Sequence, residues 1–179
     1  KLQGFKLNME ASSNSSGLLG LSPEVSFYHK NIFHGGEWLN LGFKGNFQFK
    51  PNTNIRSTEF GVSAGLSLPK FVFLPYSLFK KAIPRTDIKA SYNYQNRPEY
   101  RRNIISTSFG YAGVHKKLYY QVYPIQLNIV HLFKIDGNFY SSLEKNPFMR
   151  NAYQDHFDLG LGGQLYYTTN ASPNPKTTY

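Results

Sequence analysis

The stretch SPEVSFYHKNIFHGGEWLNLGFKGNFQFK, residues 22–50, decides the fold class. Successive side chains of a β-strand point to opposite faces, so an apolar–polar alternation with a period of two predicts a strand with one apolar face. A glycine pair at 35–36 separates two such segments and predicts a turn between them. The apolar parity of the second segment carries Leu39, Leu41, Phe43, Phe47 and Phe49, and the polar parity carries Trp38, Asn40, Lys44, Asn46 and Gln48.

The same alternation recurs along the whole chain. Eight segments carry it, and short polar or glycine-containing turns separate most of them. This pattern predicts an all-β, antiparallel, up-and-down sheet that forms one domain over residues 1–179. A longer basic connection at 72–85 is expected either at a membrane interface or folded over as a loop, and a helical turn is expected at 141–145. The predicted strands lie at 2–12, 21–30, 38–49, 58–71, 86–96, 103–113, 120–133 and 156–169.

Composition removes several function classes. The 179 residues include no cysteine, which excludes disulfides, thiolate metal sites and cysteine nucleophiles. No apolar run approaches the ~20 residues that a membrane-spanning helix needs. A net charge of +10 is compatible with nucleic acid or with an anionic membrane. The basic residues cluster at predicted strand ends, where we expect contacts with acidic head groups or lipopolysaccharide phosphates; ordinary solvated loop ends would have the same composition. The predicted head-group contacts are Lys80, Lys81, Arg85, Arg97, Arg101 and Arg102.

Periodicity alone does not say which face of the sheet is inside. In a water-soluble barrel the apolar parity points inward, whereas in a membrane barrel it faces lipid. The apolar parity here is nearly unbroken over whole strands, and no predicted helix could cover an open sheet. We therefore expect a transmembrane β-barrel segment. Tyrosines near strand ends are typical of an interfacial girdle, and they are Tyr92, Tyr94, Tyr119, Tyr120, Tyr166 and Tyr167.

The polar residues do not predict an enzyme. The five histidines have no metal-ligand spacing, so we expect no metal and no cofactor. Asp155, His156 and Asp158 crowd one strand start, but no GxSxG elbow accompanies them. The GLGG stretch at 160–163 precedes no helix and is better explained by strand curvature than by phosphate binding. Lys6 and Glu10 share one strand face and are expected to pair with each other or with Lys44.

The order of these elements resembles the start of the barrel in the BamA/TamA superfamily of outer-membrane assembly factors. Residues 7–45, LNMEASSNSSGLLGLSPEVSFYHKNIFHGGEWLNLGFKG, are similar to the family's first three strands with their connections. The family's turn of Asn, bulky residue, Gly, X, Gly corresponds here to Asn31, Phe33, Gly35 and Gly36, in which the two glycines are adjacent. The resemblance continues, towards the TamA-like lipoprotein branch, in LSLPKFVFLP, RTDIKASYNYQNRPEYRRN, YPIQLNIVHL and EKNPFMRNAYQDHF.

The resemblance implies a location and a role. It implies the first half of a sixteen-stranded barrel in the bacterial outer membrane, with POTRA domains and the later strands, including a Val-Arg-Gly-Phe loop, outside this chain. It implies a function in inserting or exporting client outer-membrane proteins together with other assembly subunits, without nucleic acid. Asn31, Phe33, Gly35 and Gly36 would form a periplasmic turn. The first strand would be a lateral gate for incoming strands, formed by Leu2, Gly4, Phe5, Leu7, Met9 and Ala11.

Two other functions remain compatible with the sequence. One is a self-contained eight-stranded barrel, either porin-like or a surface protein. The other is a water-soluble β-domain that binds anions or nucleic acid. Folding without detergent as a monomer would favour the second of these.

Overall fold

The fold is a single sheet of eight antiparallel strands. A computed structural model describes residues 2–13, 17–74, 83–115, 117–137, 140–141 and 153–167. Each strand pairs with the next one along the chain, which confirms the all-β, up-and-down prediction. The strands are β1 (Gln3–Ser13), β2 (Leu19–Lys30), β3 (Trp38–Phe49), β4 (Arg56–Leu68), β5 (Ile83–Asn96), β6 (Tyr100–His115), β7 (Leu118–Ile135) and β8 (His156–Tyr167).

The connections alternate between the two ends of the sheet. We call the end at which β1 begins the lower end and the opposite end the upper end. Residues 31–37 and 69–82 connect strands at the lower end, and residues 50–55 and 97–99 do so at the upper end. The predicted helical turn at 141–145 lies mostly outside the described residues. Just before it, the amide of Tyr140 donates to the carbonyl of Asp136 over 2.8 Å.

The register places like residues side by side across all eight strands. Hydrogen-bonded neighbours keep the same parity from strand to strand, so the sheet has one apolar face and one polar face. A central row of the apolar face is Leu7, Val25, Phe43, Val62, Tyr92, Ile105, Ile129 and Phe157. The adjacent row of the polar face is Lys6, Ser26, Gly42, Ser63, Ser91, Ser106, Asn128 and Asp158.

The apolar face is not packed into a core. Leu7 is 71% exposed, Val62 51% and Phe157 61%. Within the described part of the chain, the buried hydrophobic residues are Tyr100, Ala112 and Val130. Water-soluble domains bury their apolar side chains because each one removed from water stabilises the fold by about 1.5–3 kcal/mol. In the part of the chain that the structure describes, much of the apolar face stays exposed.

The polar face surrounds a cavity. The cavity has a volume of about 1120 Å³ and is lined by residues of every strand, from Lys6 on β1 to Asp158 and Gly160 on β8. A sheet whose first and last strands line one cavity must curve around it, with its apolar face on the convex side. Among the described residues β1 pairs only with β2, and β8 pairs only with β7. Both strands therefore present an edge.

Prolines within the strands lie where the ladder is interrupted. Pro23 pairs with Met9 on β1 but has no partner in the register with β3. Pro124 lies in a register shift of β7, where residues 122 and 125 oppose Tyr111 and Phe109 on β6. Proline has no backbone N–H to donate, which is why strands accept it at such positions. The bulge of β7 shifts the alternation of its side chains by one residue. Odd-numbered residues face the apolar side after the bulge, and even-numbered residues do so before it.

The tyrosines predicted to form an interfacial girdle therefore lie on both faces of the sheet. Tyr94 lies on the apolar face towards the upper end, Tyr92 lies in the central row of that face, and Tyr120 and Tyr167 lie on it near the lower end. Tyr119 and Tyr166 pair with each other on the polar face, where their hydroxyls donate to glutamine side chains. Among the described residues no helix has the length and apolar character needed to cross a membrane.

Candidate functional site

The free edge of β1 is the first candidate site. Its apolar face carries Phe5, Leu7 and Met9, which are 78%, 71% and 66% exposed. The ring of Phe5 contacts that of Phe27 on β2 at a centroid distance of 4.9 Å. On its outer side the backbone N–H and C=O groups have no partner strand in the described part of the chain. An exposed edge with one apolar and one polar face is a template for pairing with another strand.

The structure distributes the predicted gate residues over this strand. Leu2 precedes β1, and its carbonyl accepts from the amide of Lys30 over 2.7 Å. Gly4 lies on the polar face opposite Tyr28, whose hydroxyl oxygen is 2.6 Å from the position a Cβ at residue 4 would occupy. Glycine at this position therefore makes room for the tyrosine ring. Ala11, like Phe5, Leu7 and Met9, has the apolar parity.

The polar face beside β1 carries charges that are not paired with one another. Asn8 donates from Nδ2 to Glu24 over 3.5 Å, and Glu24 lies opposite Lys44 in the register. Lys6, Glu10 and Lys44 share this face, but within the described residues none of them belongs to an ion pair. The three side chains predicted to pair are thus exposed to solvent on the polar face, and Lys6 lines the cavity.

The turn at 31–37 is organised by side-chain hydrogen bonds. Asn31 has φ of 67°, and its Oδ1 accepts from the amide of Gly36 over 2.7 Å. The carboxylate of Glu37 accepts from the amides of Phe33 and Gly35, over 3.2 Å and 3.0 Å. The amide of Asn31 donates to the backbone carbonyl of Glu37, so the four residues predicted for this turn belong to one network. Glu37, which accepts through both its carboxylate and its carbonyl, was missed by the prediction from sequence.

Glycine is favoured at positions 35 and 36 of this turn for two different physical reasons. Gly36 has φ of +84°, a region that glycine occupies without steric cost. A Cβ on Gly35 would lie 2.3 Å from Oε1 of Glu37. The glycine pair thus follows from one left-handed residue and one close approach. The pKa of the Glu37 carboxyl is lowered, first by the backbone amide of Glu37 itself and then by the amides of Gly35 and Phe33.

The predicted head-group arginines largely bind within the chain. Arg85 donates to Asp87 over 2.8 Å, and Arg97 donates from Nε to Glu59 over 2.9 Å. Arg102 donates from Nε to Gln95 over 2.6 Å. The partners Asp87, Glu59 and Gln95 all have the polar parity, so these three guanidinium groups point towards the polar side.

One predicted arginine faces the other way. Arg101 pairs with Asn96 in a row of the apolar face at the upper end, is exposed, and donates to the Asn96 side chain over 3.3 Å. Of the four predicted contacts that the structure describes, Arg101 is the one placed where a head group beside the apolar face could reach it. Lys80 and Lys81 lie outside the described residues.

The acidic and histidine residues near the start of β8 form a structural clasp. Asp155 accepts from the amide of Leu132 over 2.7 Å and from His131 Nδ1 over 2.8 Å, which ties the segment before β8 to β7. Hydrogen bonding by the Leu132 amide is the main cause that lowers the pKa of Asp155. His156 approaches Asp158 at 3.7 Å. Among the described residues no group of three or more His, Cys, Asp or Glu side chains is arranged to hold a metal ion.

Comparison with known proteins adds no relative. No protein-family model matches the chain, and no curated protein or solved structure matches it either. The candidate site is therefore defined by its own geometry: a free amphipathic edge, an uncovered apolar convex face and a polar cavity.

The hydrogen bonds of Glu37 predict a pH-dependent turn. Because the folded pKa lies below the ordinary glutamate value of 4.5, the carboxylate stabilises the turn above that pH, and this stabilisation is lost as the pH falls through the folded pKa. We expect the amide proton shift of Gly35 in NMR spectra to titrate with a midpoint below 4.5. Glu37→Gln should abolish that titration. A midpoint at or above the ordinary glutamate value, or an unchanged titration in the variant, would contradict the network.

Proposed function

We propose that this chain is part of a bacterial outer-membrane β-barrel that assists the insertion or export of client proteins. The observation that carries the proposal is the arrangement of the two faces. Large apolar side chains cover the convex face and many stay exposed, while the parity that faces the concave cavity carries mainly polar and small side chains, with the aromatic rings of Tyr28 and Trp38 among them. A sheet of this kind is favoured in a membrane barrel. Its apolar side chains then contact lipid acyl chains, and its polar side chains contact the water of the lumen.

The height of the apolar band supports a membrane crossing. On β5 the apolar parity runs through Ile88, Ala90, Tyr92 and Tyr94 and gives way to Thr86 at one end and Asn96 at the other. Thr86 and Asn96 are separated by about ten residues, or ~33 Å along the strand at the usual rise. A strand tilt of about 40° projects this length to ~25 Å, the height of the lipid-facing band in outer-membrane barrels.

The two edges support the proposal of a larger barrel. Unpaired backbone groups are costly in hydrocarbon, so a sheet in a membrane needs partners for both β1 and β8. We place this sheet in the first half of a sixteen-stranded barrel, as the resemblance to the BamA/TamA superfamily implies. In this proposal the assembly complex also contains further barrel strands, POTRA domains and other assembly subunits. The lower end, with the turn at 31–37, would face the periplasm.

The β1 edge is the part of the sheet that we assign to clients. A strand that pairs weakly with a closing partner can open and offer its N–H and C=O groups to an incoming strand, a form of β-augmentation. At the new pairing between β1 and the client strand, the exposed side chains of Phe5, Leu7 and Met9 would face lipid. Arg101, on the apolar face at the upper end, would contact lipopolysaccharide or phospholipid phosphates.

Neighbouring positions on β4 test the membrane assignment. Val62 lies in the central apolar row and Ser63 in the adjacent polar row, one residue apart. An arginine on the lipid side near the bilayer centre costs about 2–4 kcal/mol, whereas one in an aqueous lumen costs little. We therefore expect Val62→Arg, but not Ser63→Arg, to lower the free energy of unfolding in lipid vesicles by about that amount.

The control is the matched Ser63→Arg variant, since it introduces the same side chain on the same strand. Equal stability of the two variants would contradict a lipid-facing convex face. Folding of the unmodified chain as a detergent-free monomer would favour a water-soluble β-domain instead.

Cysteine crosslinking tests the client-insertion role in the complete protein. The 179-residue chain has no cysteine, so introduced thiols report single positions. We expect Leu7→Cys on β1 to form a disulfide with a cysteine in an edge strand of a client barrel during its insertion. Val62→Cys on β4, which is paired on both sides, should not do so. Absence of crosslinks from residue 7 in an actively inserting preparation would overturn the role of β1.

A further inference from the structure

The described beginning of the connection after β4 lies against the apolar face. Residues 70–74, which we call the outer strap, lie against β5 and β6 at the lower end. The amide of Val72 donates to Thr86 Oγ1 over 3.1 Å, and that hydroxyl donates to the carbonyl of Lys70 over 2.6 Å. The hydroxyl of Tyr111 donates to the carbonyl of Val72 over 2.6 Å. Because Thr86 and Tyr111 are register partners of the apolar parity, the strap lies on the convex side.

The strap presents an aromatic side chain away from the sheet. Phe71 packs edge-to-face on Tyr111 at a ring-centroid distance of 5.7 Å. Phe73, two residues later, is 89% exposed, and the centroid of its ring lies 6.3 Å from that of Phe109 on β6. Its φ of +65° is a conformation that a bulky residue adopts at a cost. The hydrogen bonds on either side of Val72 hold the segment that leads into this conformation.

The position of the strap matches the edge of the apolar band. The centre of the band on β5, between Ala90 and Tyr92, is about five residues from Thr86, which is ~17 Å along the strand. With a tilt of about 40° this becomes ~13 Å, half of the ~25 Å band. Lys70, at the start of the strap, is exposed and carries a positive charge at that level. An aromatic ring beside a cation is the composition of a membrane interface, where the ring enters the acyl boundary and the cation meets phosphate.

We propose that the outer strap is an interfacial anchor that inserts Phe73 between the head groups and acyl chains of the phospholipid leaflet at the lower end. This inference rests on the proposed membrane location of the sheet. It adds a contact made by a connection rather than by a strand. The paired carbonyl of Lys70 and both paired backbone groups of Val72 remove much of the penalty for placing a non-sheet backbone there.

A single-tryptophan reporter tests the anchor. Trp38 is the one tryptophan of the chain, so Trp38→Phe provides a dark background for Phe73→Trp. The full chain is reconstituted in phosphatidylcholine vesicles whose acyl chains carry bromine either near the carbonyl end or near the methyl end. We expect a blue-shifted emission that is quenched more strongly by bromine near the carbonyl end. Emission at the wavelength of aqueous tryptophan, unquenched by either lipid, would overturn the anchor.

Control reporters separate this inference from the proposed function. In the same background Phe43→Trp, in the central apolar row, should be quenched more strongly by bromine near the methyl end, and Ser91→Trp, on the polar face, by neither lipid. Quenching at residue 43 without quenching at residue 73 would overturn only the anchor. Loss of quenching at both residues would overturn the membrane location, and with it the anchor.

Discussion

The continuous register of the backbone ladder is the constraint on which the other features of this sheet depend. Side chains alternate with a period of two, so each hydrogen-bonded pair fixes the face of every residue on both strands. A slip of one residue in any pair would carry charged groups such as Lys44 to the apolar face and Phe43 to the cavity. The register instead keeps Leu7, Val62 and Phe157 in one row from the first strand to the last.

The two faces then explain where the local features lie. Polar groups lie on the polar side of the sheet, where Arg85 pairs with Asp87 and Arg97 pairs with Glu59. Within the described ranges the outer strap packs on the apolar face at the lower end, and many large side chains of that face remain exposed. The edges of β1 and β8 are the places where the ladder stops, so they are also the places where another strand can continue it. We infer that the sheet has two requirements: lipid against its apolar face, and partner strands at the edges of β1 and β8.

The sequence predicted what depends on local alternation and missed what depends on contacts between distant residues. The faces of Leu39, Phe43 and Lys44 could be predicted because the alternation of apolar and polar residues is visible within a single strand. The polar-face position of Tyr119 could not, because the bulge at residues 122–125 exchanges the faces and its cause lies in the pairing with β6. The acceptor role of Glu37 and the strap contact between Val72 and Thr86 likewise arise only when the chain turns back on itself.

The most direct test of the central claim is a nitroxide accessibility scan along β4. Single cysteines at consecutive positions of Arg56–Leu68 would carry the spin label in lipid vesicles. Electron paramagnetic resonance would then measure collisions with oxygen, which partitions into lipid, and with a water-soluble nickel chelate. Our account predicts a period of two, with oxygen maxima at residues 60, 62 and 64 and nickel maxima at 61, 63 and 65. Opposite phases, or nickel accessibility at every position, would contradict a lipid-facing apolar surface.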